Sequence, residues 1–258
     1  MPLSPLASQL TARYRHQLAA LSDLVSQQLT RRFRSADPAD IDAWFDRIYP
    51  ELEQLIVTGQ RAANAATAQY LVNHAAAEGV LVRPALVDGS TEQIATSMRV
   101  TGPVAFKTSI AQTGSELAAR RVMVKVATGA AQRLLLTPPW ESLIETVRQS
   151  TRIVGYRRVS TGSPCAFCAM LLSRGAVYKD TSTAELVGFG GRIRGTREPG
   201  DTFHDHCHCT SEPVYSHDTS PPRFAAEWQQ AKQIASEQGI RSDVAFRRLV
   251  EGRSLPTP

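Results

Sequence analysis

Leu6, Leu10, Tyr14, Leu18, Leu21, Val25 and Leu29 recur at steps of three and four residues. That spacing lays apolar side chains along one face of a helix and predicts a long amphipathic helix from Leu6 to about Phe33. The pattern restarts in "SADPADIDAWFDRIYPELEQLI". There Asp37 suits the N-cap, Pro38 the first turn, and Asp40 and Asp42 the positive end of the helix dipole. The alanine-rich "GQRAANAATAQYLVNHAAAEGV" extends this second helix to Gly79, and "VRPALVDGS" breaks it. A further helical block runs through "TGSELAARRVMVKVATGAAQRLLL", and the paired prolines of "TPPWESLIETVRQS" predict a fresh helix start. His16 and His74 read as ordinary helix residues.

At Thr151 the texture changes. "RIVGYRRVST" alternates and is rich in β-branched residues, as a strand would be. "CAFCAMLLSRG" predicts a turn and a short helix stopped by Gly175. "AVYKD" suits a second strand, "VGFGGRIRGTREPGD" a basic glycine-rich loop or hairpin, and "CTSEPVYS" a final strand. "HDTSPPRF" links these to a last helix, "FAAEWQQAKQIASEQG", followed by a polar tail. The expected fold class is therefore α+β. It comprises a mainly helical region at 1–150, a small α+β module at 151–215, and a linker, helix and tail at 216–258.

Composition changes this picture little. With 258 residues, 42% hydrophobic and 21% charged, the chain can bury a substantial core. A net charge of +5 suits contact with nucleic acid or an acidic protein surface as well as plain solubility. No window approaches the roughly 18 apolar residues of a membrane span, and the first residues lack the apolar core of a secretory leader. The expected setting is a reducing cytoplasm, where clustered cysteines point to metal or redox chemistry before structural disulfides.

All four cysteines fall in two knots, "SPCAFCAMLLSRG" and "FHDHCHC". Cys165 and Cys168 form a C-x2-C knuckle, and His204, Cys207 and Cys209 form H-x2-C-x-C. Two such pairs brought together can supply the four tetrahedral ligands of zinc. Cys165, Cys168, His204 and Cys207 repeat one spacing and rank first, while Cys209 in place of His204 would give four thiolates. His206 and His208 are expected to be exposed or beside the ion rather than on it, and Asp201 and Asp205 are the acids beside the site. A thioredoxin-like reading of C-x-x-C leaves the second knot unexplained. The zinc-deaminase signature needs H-x-E, whereas His74 opens "HAAAE". The glycine loop lacks the lysine and hydroxyl of a P-loop, and neither G-x-S-x-G nor H-E-x-x-H is present.

"PCAFCAMLLSRGAVYK" followed by "FHDHCHCTSEPVY" resembles the C-terminal module of phage Mu F-like minor head proteins, in the form seen in phages of actinobacteria. The resemblance covers roughly residues 150–215 and maps onto Cys165, Cys168, His204, Cys207 and Cys209. Asp205 and His208 stand where many members have proline and arginine, which leaves five candidates for four ligand positions.

The resemblance implies a structural virion protein of the capsid interior or portal vertex, made in the host cytoplasm and acting in head assembly or DNA packaging and delivery. Its partners would be the portal and the scaffold or major capsid protein, with one structural zinc per chain and no membrane. Arg192, Arg194 and Arg197 of the basic loop would meet an acidic portal surface or DNA. The expected role is binding without a catalytic centre. The alternatives are a serine-type capsid maturation protease and a zinc-dependent nuclease. Gathering the thiols has a physical reason, since a module of about 65 residues has too little core to stand without a metal staple.

Overall fold

A computed structural model describes residues 3–160, 164, 166–173, 175, 210–216 and 222–252. Among them the chain is mostly helical with one two-stranded sheet, in keeping with the α+β expectation. Three long helices form the body: α1 (Pro5–Arg34), α2 (Ile41–Ala77) and α5 (Glu116–Gln149). The Ser4 hydroxyl caps α1 by accepting from Ala7 N, and Ser4 N donates to Glu78 Oε1 at 2.7 Å. The start of α1 therefore sits against the end of α2, and the two run antiparallel.

The buried face of α1 is Ala7, Thr11, Tyr14, Leu18, Ser22, Val25, Leu29 and Phe33. Leu6, expected on that face, is instead exposed, while Thr11 and Ser22 replace Leu10 and Leu21 at its centre. The apolar spacing locates the helix but misplaces its inward direction, because two small polar residues find buried positions. The N-cap of α2 is Asp40, which accepts from Ala43 N, whereas Asp37 accepts from Ala39 N in the preceding turn. The Asp37 expectation was thus early by three residues, since either aspartate can serve an orphan N–H.

The expected helix start at the paired prolines does not occur: α5 runs unbroken through Pro138 and Pro139. Proline lacks an N–H, so Pro138 cannot bond the Leu134 carbonyl four residues earlier. Gln60 of α2 supplies the missing donor, with Nε2 2.8 Å from that oxygen. Burial of Leu134, Leu135, Pro138, Pro139, Trp140 and Leu143 holds the segment in the core. Replacing Gln60 by leucine should cost about 1–3 kcal/mol, the penalty of an orphaned buried carbonyl. A thermal melt unchanged in Gln60→Leu would remove this explanation of the proline pair.

Between α2 and α3 (Thr91–Arg99) the chain lies extended across the bundle. Ala85 N donates to Thr146 Oγ1 and Val87 N to Ser142 Oγ, while Asn64 Nδ2 donates to the Val87 carbonyl. Side chains of α2 and α5 thus serve backbone groups that no sheet partner meets. A π-helical turn at Val100–Val104 joins α3 to α4 (Ala105–Thr113), where Gly102 leaves helical geometry before Pro103. A Cβ at Gly102 would come within 3.2 Å of the Phe45 ring, so this close approach needs glycine.

After α5, strand β1 (Gly155–Val159) pairs antiparallel with β2 (Thr210–Val214), from Gly155↔Val214 to Val159↔Thr210. The short helix α6 (Ala166–Leu172) follows β1, and Gly175 beyond it has the left-handed φ of +67° expected of a stop. Ile153, Tyr156 and Cys168 join the core of the long helices. On the other side of α6, Ala169 packs with Ala231, Ala235, Ala245 and Phe246 of α7 (Ala225–Gln238) and α8 (Ser242–Glu251). The polar tail expected after α7 therefore contains a second helix. Its apolar face is short, with Ala245 and Phe246 its buried residues, and arginines surround it. The strand expected at "AVYKD" and the basic hairpin lie outside the described residues.

Candidate functional site

Of the five candidate zinc ligands, Cys168 is described, and Cys165, His204, Cys207 and Cys209 lie outside the described residues. Cys168 sits one turn into α6, is 2% exposed, and faces the helical core rather than solvent. Cys209 directly precedes Thr210, which ends the β1–β2 ladder opposite Val159, and Cys165 follows Val159 by six residues. A six-residue tether reaches at most about 20 Å. Both knots are therefore tied to the same end of the ribbon. Among the described residues no three His, Cys, Asp or Glu side chains gather as a metal site would.

The other chemical constellation lies where this ribbon meets the bundle. Glu212, in the middle of β2, is 2% exposed. Its Oε1 accepts from the Thr11 hydroxyl of α1 at 2.6 Å, and its Oε2 accepts from Arg157 Nε of β1 at 2.7 Å. His74 of α2 is wholly buried, with Nε2 3.8 Å from Glu212 Oε1 and Nδ1 3.2 Å from the Tyr215 hydroxyl. The former distance is too long for a hydrogen bond.

Aromatic rings continue the seam inward. Tyr14 and Tyr70 stack with centroids 4.3 Å apart, Tyr70 meets His74 at 5.1 Å, and His74 meets Tyr215 at 5.6 Å. Thr11 and Thr67 hydrogen-bond the hydroxyls of Tyr70 and Tyr14 respectively.

This electrostatic arrangement stabilises one protonation state. Burial pushes the Glu212 carboxyl up, but His74, the charge of Arg157 and the Thr11 donor outweigh it and hold the group below its usual range. Burial raises the phenols of Tyr14, Tyr70 and Tyr215, so all three stay neutral. An acid, an imidazole and a phenol in contact could serve general acid–base chemistry if a substrate reached them. Here the imidazole and carboxylate are sealed, and each oxygen of the acid accepts a hydrogen bond from the chain itself. The arrangement clamps the ribbon onto α1 and α2.

Sequence reasoning missed this clamp. His74 was read as an ordinary helix residue and Glu212 as one position of a strand. The available signal was the acid within "CTSEPVYS", a stretch otherwise suited to burial. A charge there needs a partner.

A protein-family model described as VG15 protein matches residues 6–232, from the first turn of α1 into α7. The chain belongs to the VG15 family. That family is phage-associated, so the bundle, the clamp and the cysteine knots all lie within one phage protein match. No curated protein and no solved structure matches the chain. No helix among the described residues is long and apolar enough to cross a membrane.

Proposed function

We propose that this VG15 protein is a structural component of the phage head, a minor head protein of the Mu F-like type that docks on the portal or inner capsid. The observation that carries this reading is the framing of the two knots. One flanks α6 directly after β1 and the other directly precedes β2, in a chain matched to a phage family over 6–232. The sealed state of His74 and Glu212 favours a binding role over catalysis, because the most reactive-looking cluster is used to join two parts of the chain.

A structural zinc suits the chemistry of the donors. Cys165 and Cys168 would supply two ligands, and two of His204, Cys207 and Cys209 the others. The burial of Cys168 agrees with a closed, water-free site, whereas a catalytic zinc keeps one position open. Thiolates at neutral pH also need such a partner, since a free cysteine titrates at about pH 8.5.

Protein purified without added metal should carry about one equivalent of zinc per chain by elemental analysis. It should bind purified portal and leave scaffold and capsid protein intact. Cleavage of either, abolished by one serine or histidine substitution, would replace this reading with the maturation protease. Metal-dependent cutting of DNA would replace it with the nuclease. A folded protein free of metal would remove the zinc while leaving portal docking to stand on the binding result.

A further inference from the structure

Four cations on the helical body make no side-chain hydrogen bond or ion pair. Arg31 and Arg34 near the end of α1, and Arg121 and Lys125 near the start of α5, are all exposed. Their basic neighbours Arg32 and Arg120 instead pair with Glu51 and Glu116.

The helix pairing brings the four together. Gln132 Nε2 donates to Ser26 Oγ, and Arg120 Nη1 donates to the carbonyls of Arg34 and Ala36. These bonds fix α1 antiparallel to α5, so that Arg31 lies level with Lys125 and Arg34 with Arg121. Arg31 and Arg34 are three apart on one helix, and Arg121 and Lys125 four apart on the other, so each pair shares a face. Packed helices lie about 8–10 Å apart, and four residues rise about 6 Å. The result is four charges, none of them in an ion pair, set at one level of two neighbouring helices. Of the exposed acids close in sequence, Asp37 accepts from Ala39 N in the turn after α1, and Glu116 pairs with Arg120.

We infer that this α1–α5 seam is a binding surface for the phosphate backbone of duplex DNA. Three of the four cations are arginines, whose planar forks match phosphate oxygens in pairs. No buried or apolar anchor is needed for such contacts, and the patch would grip any sequence. The surface is made of α1 and α5 residues, none of which belongs to the cysteine knots or to the Arg192, Arg194 and Arg197 loop, so its test does not depend on the zinc or portal readings.

The test measures binding of a fluorescent mixed-sequence duplex over a range of salt. The protein is compared with a fourfold variant, Arg31→Gln, Arg34→Gln, Arg121→Gln and Lys125→Gln. Each phosphate contact contributes about 0.9 to the salt slope, so between about 50 and 200 mM salt the wild type should lose roughly 100-fold more affinity than the variant. Circular dichroism should show both proteins folded, with at most a small change in melting from the loss of Arg31 and Arg34 in the last turn of α1.

The loop variant Arg192→Ala, Arg194→Ala, Arg197→Ala serves as the second arm and should keep most of the slope. Equal binding and slope in wild type and fourfold variant would overturn the inference, as would a wild type that does not bind duplex at all. A fourfold variant that keeps DNA binding but loses portal would show an acidic protein to be the true partner and overturn it too.

Discussion

Glu212→Ala should destabilise the protein by about 3 kcal/mol or more, the range seen when one member of a buried ion pair is removed. Three groups lose a contact at once. Arg157 keeps a charge that Glu212 had neutralised, Thr11 loses the acceptor 2.6 Å from its hydroxyl, and buried His74 loses its only nearby acid on β2. Arg157 is partly exposed and can regain water, which keeps the expected loss toward the lower end of that range. Glu212→Gln retains an acceptor for Thr11 and Arg157 and should lose less.

The pH dependence follows from the same contacts. A carboxyl held below its ordinary value of 4.5 adds stability that is fully present above that value and disappears as pH falls through the folded value. Wild type should therefore lose stability more steeply than Glu212→Gln on acidification below about pH 4.5. Denaturant melts at several pH values measure both effects. Parallel stability–pH curves, or a loss under about 0.5 kcal/mol in Glu212→Ala, would show that the clamp does not hold the ribbon.

The three long helices were legible because their cores repeat at helical spacing over many turns, which one misplaced residue cannot hide. Direction was less legible. Thr11 and Ser22 face inward because polar partners or tight helix contacts await them, and those partners are far away in sequence. Thr11 meets Tyr70 and Glu212, the latter 201 positions along the chain. The unbroken α5 illustrates the same limit. Two prolines ordinarily end a helix, and here the amide of Gln60, on another helix, and burial of the segment in the core sustain it.

Strands β1 and β2 were both anticipated, since alternation and β-branching are local signals. Their pairing with each other, and their seat on α1 and α2, depend on Glu212 and His74, which local patterns do not single out. Of the candidate metal site, the cysteine spacing was visible at once. The burial of Cys168 became visible only when α6 was placed between two apolar clusters.

That placement makes Cys168 the sharpest probe of the metal. As a buried packing thiol, Cys168→Ala would remove one small group from the core and cost about 1 kcal/mol. As a zinc ligand its loss should be far larger, because metal binding in small modules contributes folding energy on the order of 10 kcal/mol. The two readings separate under a chelator. Wild type should then melt at a lower temperature, while Cys168→Ala, already without metal, should not respond.

The position of α6 also predicts where the change is seen. Ala169, next to Cys168, packs against Ala231, Ala235, Ala245 and Phe246, and Trp228 lies edge-on to Phe246 with centroids 5.2 Å apart. Loosening α6 should therefore free Trp228 before Trp44 and Trp140, which are buried in the helical body. A chelator-induced fluorescence change that vanishes in Trp228→Phe would tie the metal to α6 and to the helix pair that covers it. Identical melting of wild type with and without chelator would leave Cys168 as a packing residue and end the case for zinc.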